Sequence, residues 1–267
     1  MAQYICKIKN GLLPATVIAR PSKVNKSPYL ADIVLEGSEE QVMAHTPALG
    51  CCGLIAPGRK VWVSAREGAG VSKYVIYCAE EEIGQGLIGV HPTISNKIVY
   101  KMLTKEIILP EVYELETEVT YKNCRFDIAG VQADGKKVFI EVKCAPIADI
   151  VDCMSRYRLL QLIAAKAAGT KKFAIFPHGN NRKEGTISPR ALKHVNTMTE
   201  IVENSEARCI VIYVTQRTDC HAIKISELDP KYREAVLTAA DKGVEFMGIS
   251  VGWTGSEIYY HNTIPVI

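Results

Sequence analysis

From Tyr4 to about Ala79 the chain reads as short apolar runs broken by Gly, Pro, Ser and Asn: YICKI, ATVIAR, YLADIVL, QVMAHT, KVWVSA and KYVIYC. Runs of strand length at regular spacing, without a helical period, predict a small closed sheet of about five or six strands, an OB-like barrel. After residue 84 the pattern changes. A helix is expected over about Ile94–Lys105, with Ser95 or Asn96 as its cap, and a hairpin over 117–143. Apolar positions predict a long helix over Ile147–Ala168, a strand ending at Phe176, and a helix opened by Ser188-Pro189 and reaching about Asn204. Arg208–Gln216 reads as a strand buried on both faces, Asp229-Pro230 starts a helix to Asp241 closed by Lys242-Gly243, and two strands finish the chain. This order implies a mixed α/β fold in two domains, 1–84 and 85–267.

The hairpin carries the chemistry. Two apolar runs, CRFDIAGV and KKVFIEV, flank Ala133-Asp134-Gly135, and the second ends Glu141-Val142-Lys143. Alternation puts Glu141 and Lys143 on one face, roughly 6 to 7 Å apart. Whether Asp127 joins them depends on register. A two-residue turn would set Asp127 opposite Val142; a three-residue loop with Gly135 left-handed, or a bulge, would set it opposite Glu141. The odd register is therefore expected. Spacing alone favours a solvated strand face bearing one ion pair. Convergence of the three would instead give two carboxylates suited to Mg²⁺ or Mn²⁺, with Lys143 beside them to orient water or steady negative charge.

Composition changes this picture little. The 267 residues carry 48% hydrophobic content and a net charge of +3, which permits a nucleic-acid partner without requiring one. Charge distribution says more: the first 31 residues hold Lys7, Lys9, Arg20, Lys23 and Lys26 and no acid. Arg20, Lys23, Lys26 and Tyr29 together fit a loop for a phosphate backbone and a stacked base, or a solvated basic loop. Nine cysteines without a C-x-x-C pair read as reduced thiols of a cytoplasmic protein rather than a zinc ribbon or a disulfide framework. No leader pattern or apolar run near 18 residues points to export or a membrane. The glycines of GQGLIG at 84–89 lack a phosphate-loop spacing and read as a linking turn.

The order YLADIVL, LIAPG, VWVS, GLIGVH with Asn96, EVTYKN, RFD, FIEVK, AIFP, RALKH, VTQR and ELDPKYREAV resembles the SfsA (sugar fermentation stimulation) family over nearly the whole chain. That resemblance implies an OB-like domain followed by a PD-(D/E)xK, restriction-endonuclease-like domain, associated with DNA binding and nuclease activity. It implies catalytic Asp127, Glu141 and Lys143, with Glu118 at an acidic position supporting the metal or a base, and Asp127 and Glu141 as metal ligands. Arg190, Lys193 and His194, spaced to share a helix face, and Gln216 and Arg217 at a strand end would contact nucleic acid. Two departures stand out: HTPALGCC replaces a more polar family loop, and Cys144 stands where a small hydroxyl residue is usual. The expected function is a Mg²⁺- or Mn²⁺-dependent nuclease on DNA, with RNA left open and little sequence readout. The alternative is a non-catalytic DNA-binding regulator linked to sugar metabolism.

Overall fold

A computed structural model of the chain describes residues 2–47, 53–68, 70–80, 86–149, 172–179 and 185–267. Two compact units divide it. The first takes Met1–Ile94, Gln216–Thr218 and Val251–His261, and the second takes Ser95–Thr215, Asp219–Ser250 and Asn262–Ile267. The chain thus returns to its first unit twice, which a single boundary near residue 84 does not describe.

In the first unit, β2 (Leu13–Ala19), β3 (Leu30–Leu35), β4 (Gln41–His45), β5 (Lys60–Ala65) and β6 (Tyr74–Glu80) run in the order β4-β3-β2-β5-β6. Pairing of β4 with β6 closes the ring, so five strands form the OB-like barrel and β7 (Leu87–Gly89) adds to β6. Closure removes the sheet edges. Val17, Ala31, Ile33, Ala44, Val61, Val63 and Ile76 fill the interior. β1 (Gln3–Lys7) lies outside the ring and pairs with the start of β16 (Glu257–Ile264).

The basic segment at 20–29 is an ordered excursion between β2 and β3. Buried Asp32 accepts from the Ser22 hydroxyl at 2.6 Å and from the Lys23 amide at 2.8 Å, pinning the loop root to the barrel. Lys23, Lys26 and Tyr29 are exposed, while Arg20 is half-buried and donates to the Pro28 carbonyl. The turn at 48–52, where the sequence departs from the family pattern, lies outside the described residues.

In the second unit, β8 (Tyr113–Tyr121), β9 (Cys124–Val131), β10 (Lys137–Cys144), β13 (Arg208–Thr215) and the start of β15 (Glu245–Thr254) as far as Ser250 are ordered β15-β13-β10-β9-β8. β8, β9 and β10 are antiparallel; β13 runs parallel to both β10 and β15. CIVIYV, the central run of β13, is apolar throughout because both faces are covered. A smaller sheet joins β11 (Ala148–Asp149), β12 (Lys172–Phe176) and β14 (Cys220–Ile225). The expected helix over 147–168 is not observed at its start, since Ala148 and Asp149 pair with Ala174 and Phe173; residues 150–171 lie outside the described residues.

Three described helices are α1 (Pro92–Thr104), α2 (Pro189–Glu203) and α3 (Pro230–Asp241). Ser188 caps α2 and Asp229 caps α3, each followed by proline where the missing N–H costs nothing. α3 closes on Gly243 at φ +99°, with the Val244 amide returning to the Ala239 carbonyl at 2.9 Å. No described helix is long and apolar enough to cross a membrane.

Asp229 does more than cap. Its buried carboxylate also accepts from the Thr186 hydroxyl and the Ile187 amide, each at 2.7 Å, tying the approach to α2 to the start of α3. Asp229→Ala leaves these donors unpaired in the interior and is expected to cost about 2 kcal/mol or more. Urea denaturation checks this; a loss below about 0.5 kcal/mol would deny the residue that role.

Candidate metal and catalytic centre

The hairpin adopts the odd register. The Gln132 amide bonds the Lys136 carbonyl and the Gly135 amide bonds the Gln132 carbonyl, each at 2.9 Å, with Gly135 at φ +80°. This three-residue loop sets Val138 against Gly130 and Ile140 against Ile128, so the next position in register places Asp127 across from Glu141. There the ladder stops. Continued regularly, it would give the Val142 amide to the Phe126 carbonyl; instead Asp127 Oδ2 accepts it at 2.8 Å. The carboxylate is thereby fixed against the end of β10. Its other oxygen accepts from Asn96 Nδ2 of α1 at 2.7 Å.

Glu141 is the most enclosed member, only 2% exposed. Its Oε1 receives the Lys143 ammonium and lies 2.6 Å from Nδ1 of His194 on α2, whose ring N–H is not aligned on that oxygen. Its Oε2 is buried with no hydrogen-bond partner among the described residues. α2 is tied to the turn before β9 by Lys193 Nζ donating to the Asn123 carbonyl at 2.6 Å and by Thr197 donating to the Asn123 side chain at 3.1 Å. Phe126 meets the His194 ring edge-on.

These surroundings push the two acids apart. Burial, then the negative charge of Glu141, raises Asp127 above the usual carboxylate range and outweighs the Val142 amide, Lys143 and Asn96. Burial also works to raise Glu141, but His194 and Lys143 together outweigh it and hold that carboxyl low. The same surroundings thus shift the two carboxyls in opposite directions.

The other sequence expectations divide. Glu118 sits at φ +59°, and its exposed carboxylate pairs with Arg125 Nε at 2.8 Å, so it does not join the cluster. The resemblance alone places Glu118 near the metal; here its left-handed backbone and its pairing with Arg125 take it elsewhere. His194 is not on a solvent-facing stripe: it lies within the arc of Ala191, Val195, Met198 and Ile201 that α2 buries. Arg190 and Lys193 remain exposed on that helix. Gln216 and Arg217 belong to the first unit and are buried there, with the Gln216 amide donating to the His91 carbonyl at 3.0 Å. Asn96 was expected only as a cap, and it sits inside α1 as a partner of Asp127.

A divalent cation fits this donor set: one buried carboxylate, a half-buried one repelled by it, and a Glu141 oxygen without a hydrogen-bond partner among the described residues. Asp127 and Glu141 would hold it, with water completing a hard, oxygen-rich shell. Among the described residues no group of three His, Cys, Asp or Glu is arranged to hold a metal. The protein ligation is thus sparse, in the manner of Mg²⁺ sites rather than closed structural ones.

An antiparallel hairpin bearing Asp and Glu-x-Lys beside parallel, helix-connected strands defines a restriction-endonuclease-like domain joined to an OB-like barrel. A family model described as "Sugar fermentation stimulation protein RE domain" matches residues 93–176 and 165–257, and the chain belongs to this SfsA family. Among its relatives are sugar fermentation stimulation protein homologs from Brucella melitensis, 26% identical over 96% of this chain and 97% of that one, and Brucella anthropi, 27% identical over 89% and 92%. Another, from Dinoroseobacter shibae, is 25% identical over 90% of this chain and 87% of that one. The fold matches the solved structure of Pyrococcus furiosus SfsA in complex with Ca²⁺, with a TM-score of 0.75 over 100% of both chains at 17% identity.

Linkage gives the two acids opposite effects on stability. Glu141, held low when folded, contributes stability that is present above its unfolded pKa and lost as pH falls through the folded one. Asp127, raised when folded, loses stability as pH rises from its unfolded pKa through the folded one. At pH 7 with chelator present, Glu141→Gln is expected to destabilise by about 3 kcal/mol, whereas Asp127→Asn leaves stability unchanged or higher. Denaturation of both variants checks the signs, and a large loss from Asp127→Asn would contradict the strained pair.

Proposed function

We propose that the chain is a divalent-metal-dependent nuclease that hydrolyses phosphodiester bonds in DNA with little sequence readout. The observation that carries this reading is that Oε2 of Glu141, on a carboxylate held by Lys143 and electrostatically coupled to Asp127, is buried with no hydrogen-bond partner among the described residues. An unpaired anionic oxygen in the interior is costly, and a cation is the partner that would justify it. The solved relative from Pyrococcus furiosus in complex with Ca²⁺ supports a cation of the same charge here. Mg²⁺ or Mn²⁺ suits catalysis by the same oxygen ligands.

The chain's own residues have separable tasks. Asp127, fixed at both oxygens by Asn96 and Val142, and Glu141, fixed at one, supply the ligand positions. The cation, when bound, polarises a phosphoryl oxygen and lowers the pKa of bound water. Lys143 places a positive charge beside Glu141, where it would steady the negative charge that grows on phosphate oxygens as water's oxygen bonds phosphorus and the ester bond breaks. On the barrel, Lys23, Lys26 and Tyr29 stand exposed on a loop rooted by Asp32, suited to phosphate contact and base stacking. On α2, Arg190 and Lys193 offer two further exposed cations.

Purified protein with Mn²⁺ or Mg²⁺ is expected to degrade DNA and to stop with chelator. Lys143→Ala and Asp127→Ala should each lower the rate at least about 100-fold. Activity unchanged in both variants would sink the nuclease reading and leave a DNA-binding protein. Replacing Lys23 and Lys26 together should weaken DNA binding across sequences and reduce the salt dependence of log Kd by about one unit per lysine. An unchanged salt slope would remove that loop from the interface.

A further inference from the structure

Glu141 Oε1 lies against two nitrogens while Oε2 has none. Lys143 comes from the same strand two residues on, so its approach follows from strand geometry. His194 does not: it reaches Glu141 from a helix 53 residues later, through an enclosed ring 4% exposed. Three features fix it there. Lys193 and Thr197 anchor α2 to Asn123, Phe126 abuts the ring, and Ala191, Val195, Met198 and Ile201 pack the same helix face inward. A nitrogen delivered to one carboxylate oxygen by so much packing restricts how that carboxylate can turn.

We propose that His194 is a positioning residue for the cation site: by holding Glu141 Oε1 it presents Oε2 to a divalent ion. This rests on the metal-site reading above, and it replaces the phosphate contact that the helix spacing suggested. A carboxylate free to rotate could offer either oxygen or both to Lys143 and satisfy itself without a metal. Held by His194 as well, it keeps one oxygen in reserve. Partners behind metal ligands commonly govern affinity, and their loss costs about 10- to 100-fold in binding.

The test is Mn²⁺ binding to the full-length protein, followed by electron paramagnetic resonance and calorimetry without DNA, so that the readout is independent of cleavage. His194→Ala is expected to raise the Mn²⁺ Kd about 10- to 100-fold. His194→Asn, whose amide nitrogen stands near the position of Nδ1, should restore it to within about threefold, a rescue that mere space-filling would not give. His194→Gln, which sets its amide nitrogen farther out, should not. Thermal denaturation of each variant confirms folding, and should His194→Ala fail to fold, the Asn and Gln pair carries the comparison alone. Asp127→Asn reports on the underlying site: if it leaves Mn²⁺ affinity unchanged, the metal-site reading fails and this proposal falls with it. If Asp127→Asn weakens the ion while all His194 variants bind within twofold of wild type, the positioning role alone is overturned. It is equally overturned if His194→Ala lowers affinity for DNA in chelator while leaving Mn²⁺ binding intact, because His194 would then be a phosphate contact.

Discussion

A loop of three residues rather than two at Ala133–Gly135 decides the parity of the central hairpin, and with it which side chains can meet. Side chains alternate along a strand, so a slip of one residue would send Asp127 to the far side of Glu141. Gly135, at φ +80°, makes the longer loop inexpensive. From that parity follow the crowding of two acids, the shelter of Glu141, and the break in the ladder at Val142, where the Asp127 carboxylate takes the amide that regular pairing would have given to Phe126.

What surrounds the hairpin serves to hold this unfavourable arrangement still. β13, covered on both faces, runs parallel beside β10, and α2, tied to Asn123, brings His194 against Glu141. The centre is costly in isolation: burial and the charge of Glu141 raise the Asp127 carboxyl, and Oε2 of Glu141 has no hydrogen-bond partner among the described residues. Such local cost is sustained only when surrounding packing over-determines the geometry. The caps of α2 and α3, joined through Asp229 and Thr186, are part of that packing.

Much of this was legible in the chain because the relevant signals are local. Ala-Asp-Gly named the loop, alternation named the face of Glu141 and Lys143, and Ser188-Pro189 and Asp229-Pro230 named two helix starts. The barrel followed from strand-length runs, and its closure by β4 and β6 obeys the need to hide edges. Glu118 comes from the family resemblance alone, with no local signal behind it, and its positive φ and pairing with Arg125 set it apart from the cluster. His194 was read with Arg190 and Lys193 as a basic stripe, yet it also belongs to the series Ala191, Val195, Met198, Ile201, and that apolar period was the better guide. Asn96 gave no such signal, since its partnership with Asp127 joins residues 31 apart. Ala148 and Asp149 lie inside the span whose apolar spacing predicts a helix but pair with β12, a tertiary choice that local pattern does not encode.

The central claim is that Asp127 and Glu141 Oε2 form one cation site, and anomalous diffraction from crystals grown with Mn²⁺ addresses it most directly. The account predicts a single strong peak within about 2.2 Å of an oxygen from each carboxylate, with waters completing the shell. A peak bound elsewhere, or a fully ordered centre with no metal between these two side chains, would contradict it.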